Sequence, residues 1–209
     1  MKKISIVTAI LLITMAIINS CGSLSVANSE DNSGTGFSPA QAYLIKGKQI
    51  NTPMKVLQSD NMEDSLFLRS ISSPVDPMAD KKLILALISR MLATVTDSLT
   101  GGVGIAAPQV GISKRVILVQ RFDKDGEPFE AYLNPTISQY SKTKQDCREG
   151  CLSVPGIRGT TTNRSFAVYV EYNDMDNNQK GELIEGYTAV IFQHEIDHLN
   201  GILFFDHLK

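Results

Sequence analysis

The chain has 209 residues, 43% of them hydrophobic, enough for one domain with a real core. Its 20 lysines and arginines stand against 22 acidic residues, a formal net charge of −2. That balance excludes a strongly basic nucleic-acid binder, and no nucleic-acid partner is expected.

Residues 1–20 read MKKISIVTAILLITMAIINS. Lys2 and Lys3 precede an apolar run over 4–18, which is short for a spanning helix. Cys21 follows Ile18, Asn19 and Ser20, an arrangement that resembles a bacterial lipoprotein signal, with Asn19 unusual in the lipobox. An uncleaved anchor and an ordinary secretory signal are the alternatives. The stretch GSLSVANSEDNSGTGFSPAQ is rich in Ser, Asn and Gly and has little to bury. The expected organisation is a signal peptide over 1–20, a flexible tether over 21–45 and a folded domain over 46–209. The expected location is extracytoplasmic, with the membrane reached through a lipidated Cys21.

The folded part opens with a helix. Leu83, Ile84, Leu87, Ile88, Met91, Leu92 and Val95 follow the three-then-four spacing of one buried face. Asp76 before Pro77 is the candidate start cap, and Gly101 and Gly102 the candidate stop. Short strands follow in RVILVQ and AYLNP. FAVYVEY alternates, with Phe166, Val168, Val170 and Tyr172 on one face. NDMDNNQKG reads as a turn and GELIEGY as the return strand. Strands joined by short turns, with few helices, predict an α+β fold with a largely antiparallel sheet.

One acidic run imitates a calcium loop. Asp174, Asp176, Asn178 and Glu185 have the ligand spacing, but Gln179 stands where the loop needs glycine. A polar hairpin turn accounts for the run better.

The chemistry concentrates in QHEIDHLNG at 193–201. His194 and His198, four apart on a helix, lie on one face and can reach one divalent ion, with Glu195 as a candidate general base. A catalytic site needs a third protein ligand. One protease class places a histidine three residues beyond the glycine, where this chain has Phe204; His207 comes three residues late. The third ligand is therefore expected upstream. Cys151 in EGCLS is the attractive candidate, because a thiolate is a strong soft ligand. A Cys147–Cys151 disulfide competes with this reading. In an extended stretch, however, residues four apart are separated by roughly 13 Å, beyond disulfide reach. Gly150, Val154, Pro155 and Gly156 disfavour the helix that would rescue it. Cys147, Glu149 and Cys151 then share a face, which leaves Cys147 near the metal site without ligating.

GVGIAAPQ at 102–109, EGCLS at 149–153 and QHEIDHLNG at 193–201 together resemble the three signature motifs of peptide deformylases, in the same order. The resemblance extends over about residues 50–209, and FLRSISSPV at 67–75 is similar to the family's early segment. It implies antiparallel sheets packed around a central HExxH helix. It implies a metal-dependent hydrolase that removes the formyl group from N-formylmethionyl peptides and releases formate. Cys151, His194 and His198 would be the metal ligands, with water as the fourth. Glu195 would be the acid/base; Gln109, through its side chain, and Leu152, through its backbone N–H, would be oxyanion donors. Val103, Cys147, Tyr187, Val190 and Ile191 would line the methionine pocket, where Cys147 and Tyr187 need not be typical. Gly104, Gly150 and Arg158 would contact the peptide. The resemblance points first to Fe2+, with Zn2+ or another divalent ion as the alternative, and to a monomer. Two rival functions are a metallopeptidase and a non-catalytic lipoprotein that binds formylated peptides. The family acts on new chains in the cytosol, which the N-terminal signal does not match.

Overall fold

The computed structural model describes residues 36–47, 49, 51–97 and 101–208. The expected signal, Cys21 and the tether as far as residue 35 lie outside the described residues. Among those described, no helix is long and apolar enough to cross a membrane.

The stretch expected to be tether is helical at its end. α1 (Pro39–Lys46) starts at a capping box: Ser38 Oγ accepts from Gln41 N–H at 3.2 Å, and Gln41 Oε1 accepts from Ser38 N–H at 3.0 Å. Pro39 sits at the first helical position, where its missing N–H costs nothing. Ile45 is fully buried, so the expected boundary at residue 46 falls too late. Arg90 stitches this entry segment down, donating to the Ile45 carbonyl at 3.2 Å and the Thr52 carbonyl at 3.1 Å.

α2 (Met62–Leu68) is capped by Asn61. α3 (Lys81–Val95) is the helix expected from the apolar stripe, and Ile84, Leu87, Met91 and Val95 are fully buried in the core. Its ends differ from expectation. Asp80 is the N-cap, while Asp76 Oδ1 accepts from the N–H groups of Met78 and Ala79 and holds the turn before it. The helix closes at Thr96, ahead of Gly101 and Gly102, with the C-cap N–H of Thr96 making the last helical bond to the Leu92 carbonyl.

The strands are β1 (Gly104–Ala106), β2 (Val116–Gln120), β3 (Phe129–Tyr140), β4 (Lys144–Cys151), β5 (Val154–Ser165), β6 (Ala167–Asn173) and β7 (Gln179–Glu185). α4 (Gly186–Leu199) follows, and a short 3-10 turn over Phe204–His207 comes after it. Five strands form one antiparallel sheet in the order β1-β2-β3-β6-β7, and β4 and β5 form a separate hairpin. The mixed helix and antiparallel-sheet class is as expected. The buried face of β6 carries Val168 and Val170, but Phe166 stands before the strand and is 42% exposed, contrary to its expected place. Between β6 and β7, Asp174 Oδ1 accepts from the N–H groups of Asp176 and Asn178, the polar turn expected in place of a calcium loop.

α4 is buried along most of its length. Ile191, Phe192, Ile196 and Leu199 pack with Val119, Tyr132, Val168, Val170 and Ile184 of the sheet. Each such side chain contributes roughly 1.5–3 kcal/mol on burial. α4 ends before Gly201, whose φ of 73° suits glycine and whose added Cβ would fall on the Arg69 carbonyl, 2.7 Å from its carbon. The last glycine of QHEIDHLNG therefore lets the chain pass against Arg69.

Candidate metal centre

The helical spacing of His194 and His198 puts both imidazoles on the side of α4 that meets the β4–β5 hairpin. Cys151, at the end of β4, meets them there. The ligand atoms of Cys151, His194 and His198 all lie within 4.8 Å of one another, and Cys151 Sγ is 3.2 Å from His198 Nε2. Cys147 and Cys151 are both free thiols, so the disulfide alternative is excluded. Burial, then the nearby Glu149 carboxylate, pushes the Cys147 thiol up, and it stays apart from the cluster.

Glu149 organises the centre, a role that the motif spacing alone does not assign. Its Oε2 accepts from His194 Nδ1–H at 2.8 Å, which leaves Nε2 of that ring for a ligand. Arg164 donates to both Glu149 oxygens, at 2.8 and 3.0 Å, and Thr161 donates to Oε1. Burial alone would raise the Glu149 carboxyl; the hydrogen bonds from His194 and Arg164 overcome it and hold the pKa down to about 2. Arg164 also bonds Asp197 at 2.6 Å, and Asp197 accepts from His207 Nε2 at 3.0 Å. His207 is thus tied behind the centre and is not a ligand. Burial holds the His198 pKa well below the usual histidine value, which favours the neutral ring that a metal ligand must be.

Glu195 is buried beside this cluster, and its Oε2 has no hydrogen-bond partner among the described residues. Burial pushes its pKa up to about 7, with the His194 charge opposing and Glu149 adding to the rise. Gln109 approaches from the turn after β1. Its Oε1 accepts from Ala106 N–H at 2.8 Å, which fixes the amide so that Nε2 points at Cys151 Sγ, 3.5 Å away, and Ser153 Oγ, 3.3 Å away. Leu152 lies in the turn after Cys151, and its carbonyl accepts from Gln58 Nε2 at 3.1 Å.

A cleft of about 910 Å3 opens over Cys151, His194, Glu195 and Gln109. All the expected substrate-contacting residues lie on its wall. Val103 and Gly104 come from the β1 side, Tyr187, Val190 and Ile191 from α4, and Cys147, Gly150 and Arg158 from the hairpin. Gly104 has a further role. A Cβ there would collide with the Glu195 carboxylate and stand 2.8 Å from Ile191 Cγ2. Tyr187 packs on Phe122, with ring centroids 5.4 Å apart.

A thiol, two imidazoles, an oriented amide and a buried carboxylate under one cleft fit a single soft-to-borderline divalent ion. Two of the buried atoms, Glu195 Oε2 and His198 Nδ1, find no protein partner among the described residues. Fold and donor set together define the class as proteins with a candidate single-ion metal centre and a buried carboxylate beside it.

Comparison with known proteins narrows the class. The family model described as polypeptide deformylase matches residues 54–209. The peptide deformylase of Desulforudis audaxviator is 45% identical over 121 residues, covering 57% of this chain and 76% of that one. That of Halothermothrix orenii is 42% identical over 153 residues, covering 73% and 94%. Among solved structures, the Met-Ala-Ser-bound class I type b peptide deformylase from Acinetobacter baumannii superposes with a TM-score of 0.66 at 35% identity, covering 76% of this chain and 99% of that one. The enzyme from Thermotoga maritima gives a TM-score of 0.62 at 33% identity, covering 75% and 98%. The chain belongs to the peptide deformylase family, and its activity is the metal-dependent removal of N-formyl groups from peptides. The metallopeptidase and non-catalytic readings are thereby displaced.

Proposed function

We propose that Cys151, His194 and His198 hold one divalent ion and that the residues around it deformylate N-formylmethionyl peptides. The observation that carries this reading is the convergence of those three side chains beside Glu195 and Gln109. When bound, the ion supplies Lewis acidity, lowering the pKa of a coordinated water from about 16 toward about 7 and polarising the formyl carbonyl. Glu195 takes the proton of the attacking water and returns it to the leaving amine. Gln109 Nε2 and the Leu152 N–H donate to the oxygen of the tetrahedral oxyanion. Val103, Cys147, Tyr187, Val190 and Ile191 enclose the methionine side chain. Gly104, Gly150 and Arg158 hold the peptide beyond it, and the Met-Ala-Ser carried by the Acinetobacter baumannii relative supports a peptide in this cleft. A single chain supplies the whole set, so we read the active species as a monomer.

The test is formate release from formyl-Met peptides by protein loaded with Fe2+ or Zn2+. Release with either ion is expected, and none with any ion would refute the assignment. Gln109→Leu should lower turnover roughly 100-fold, about 3 kcal/mol of lost oxyanion stabilisation. An unchanged rate would remove Gln109 from that role.

The working location is a separate part of the proposal. The basic start, the apolar run and Cys21 support cleavage before Cys21, lipid attachment there, and a catalytic domain held at a membrane. Several acyl chains anchor stably, at about 0.8 kcal/mol per buried CH2. At an extracytoplasmic site a ferrous ion and the Cys151 thiolate meet oxidants, which favours Zn2+ over the Fe2+ of the family resemblance. Cells fed a fatty-acid probe should label the wild type and not Cys21→Ala. A soluble, unlabelled wild type retaining residues 1–20 would end the export reading and the zinc argument with it.

A further inference from the structure

The last histidine of the chain has no part in the proposed chemistry. His207 comes too late for the protease pattern, Cys151 supplies the third ligand atom, and His207 does not line the cleft. Yet its ring is held on both nitrogens. Nε2–H donates to Asp197 Oδ2 at 3.0 Å, and the Asn163 amide donates to Nδ1 at 3.1 Å. Asp197 belongs to α4 and Asn163 to β5. One imidazole is therefore bonded at once to the helix and to the hairpin.

That bridge matters because of how the centre is assembled. Cys151 comes from the hairpin, and His194 and His198 come from α4. Among the described strands, the hairpin has no pairing with the five-stranded sheet. The spacing of the ligands therefore rests on side chains that cross between hairpin and helix. Glu149 meets His194 at 2.8 Å, Arg164 meets Asp197 at 2.6 Å, and Gln193 exchanges two bonds of 2.9 Å with the Ser165 backbone. His207 reinforces the second of these, because Asp197 Oδ2 accepts from Arg164 and His207 together. Arg164 in turn donates to Glu149, which holds His194.

The turn that carries His207 is itself fixed. Asp206 Oδ1 accepts from Arg69 at 3.0 Å, and its Oδ2 accepts from Leu203 N–H at 2.9 Å. The Leu208 side chain covers Gly159 of β5, where an added Cβ would stand 2.7 Å from both of its Cδ atoms. The ring is thus a link with both ends anchored. We propose that His207 is a positioning residue that pins the Cys151-bearing hairpin to the histidine-bearing helix and so slows loss of the ion. The proposal rests on the ligand assignment above. Groups that orient ligands from behind set how tightly a centre holds its metal.

The test loads the full chain with Zn2+ and follows the rate at which excess chelator removes the ion. His207→Phe keeps the bulk of the ring and loses both bonds. His207→Gln keeps a donor and an acceptor on a side chain of similar reach. Release should be about three- to tenfold faster in His207→Phe, below the roughly 10- to 100-fold cost of losing a ligand's direct partner. It should stay near the wild-type rate in His207→Gln. The visible spectrum of the Co2+-loaded chain should shift in His207→Phe and return toward that of the wild type in His207→Gln. In the metal-free chain, amide hydrogen exchange should quicken over β4 and β5 in His207→Phe and stay unchanged over α3. A role in packing alone would lower the melting temperature and leave the release rate unchanged, and that result overturns the proposal. So does a His207→Gln that releases Zn2+ as fast as His207→Phe. If the wild type retains no Zn2+, the ligand assignment fails, and hydrogen exchange still decides whether His207 pins the hairpin.

Discussion

Glu195→Gln should lower turnover of a formyl-Met peptide by roughly 100- to 10,000-fold, the range a positioned acid/base contributes. Metal content and peptide binding should stay near those of the wild type. Glutamine keeps the shape of the side chain and cannot accept a proton. The shape matters because Glu195 fills the space over Gly104, where even a methyl group would collide with its carboxylate. No neighbour can take over. Glu149, the other carboxylate at the centre, already accepts from His194, Arg164 and Thr161 and stays ionised in that role. The checks are kcat on a formyl-Met peptide and metal per chain by elemental analysis. A variant with near-normal kcat would show that the proton passes through some other group.

Cys151→Ser should empty the centre and leave the fold standing. The hydroxyl is a harder and far less acidic donor than a thiol, so the remaining pair of imidazoles holds an ion weakly. Loss of a partner that only orients a ligand already costs roughly 10- to 100-fold in metal affinity or activity. Loss of a ligand itself should cost more than about 100-fold. The fold should survive, because Cys151 sits at the end of β4 and the packing there comes from Leu68, Val154, Leu203 and Phe204. Circular dichroism and metal analysis of the same sample separate the two effects. Full metal content and activity in this variant would rule Cys151 out as a ligand.

Glu149 shows the limit of local pattern. Its place on a face with Cys151 follows from strand alternation. Its partners do not, because Arg164 is brought to it by a hairpin with irregular register at two points, between Gln145 and Cys147 and between Gly150 and Cys151. A bulge shifts every later side chain, and nothing in the residue spacing announces it. Phe166 failed for a related reason. It continues the alternation of β6, but its N–H bonds to the Thr143 carbonyl outside the strand and its ring stays half-exposed. The entry helix is written in S-P-A-Q, a capping box with proline at the first position, and the polar residues before it mask that signal.

The sequence by itself determined what depends on neighbours a few residues apart. The apolar stripe of α3, the polar turn at Asp174, the pairing of His194 with His198 on one helical face and the extended run that denies Cys147 and Cys151 a disulfide are all set by backbone period. The three motifs, taken together, also carried the family. Only the tertiary structure decided what depends on distant segments meeting. It brought Cys151 from β4 to the histidines of α4, set Glu149 and Arg164 behind His194, and turned the Gln109 amide toward the thiol. It also set the Glu195 side chain over Gly104 and the Arg69 carbonyl against Gly201, where an added Cβ would collide with them. These contacts join residues tens of positions apart, and their geometry follows from packing and strand register, which no short window of sequence contains.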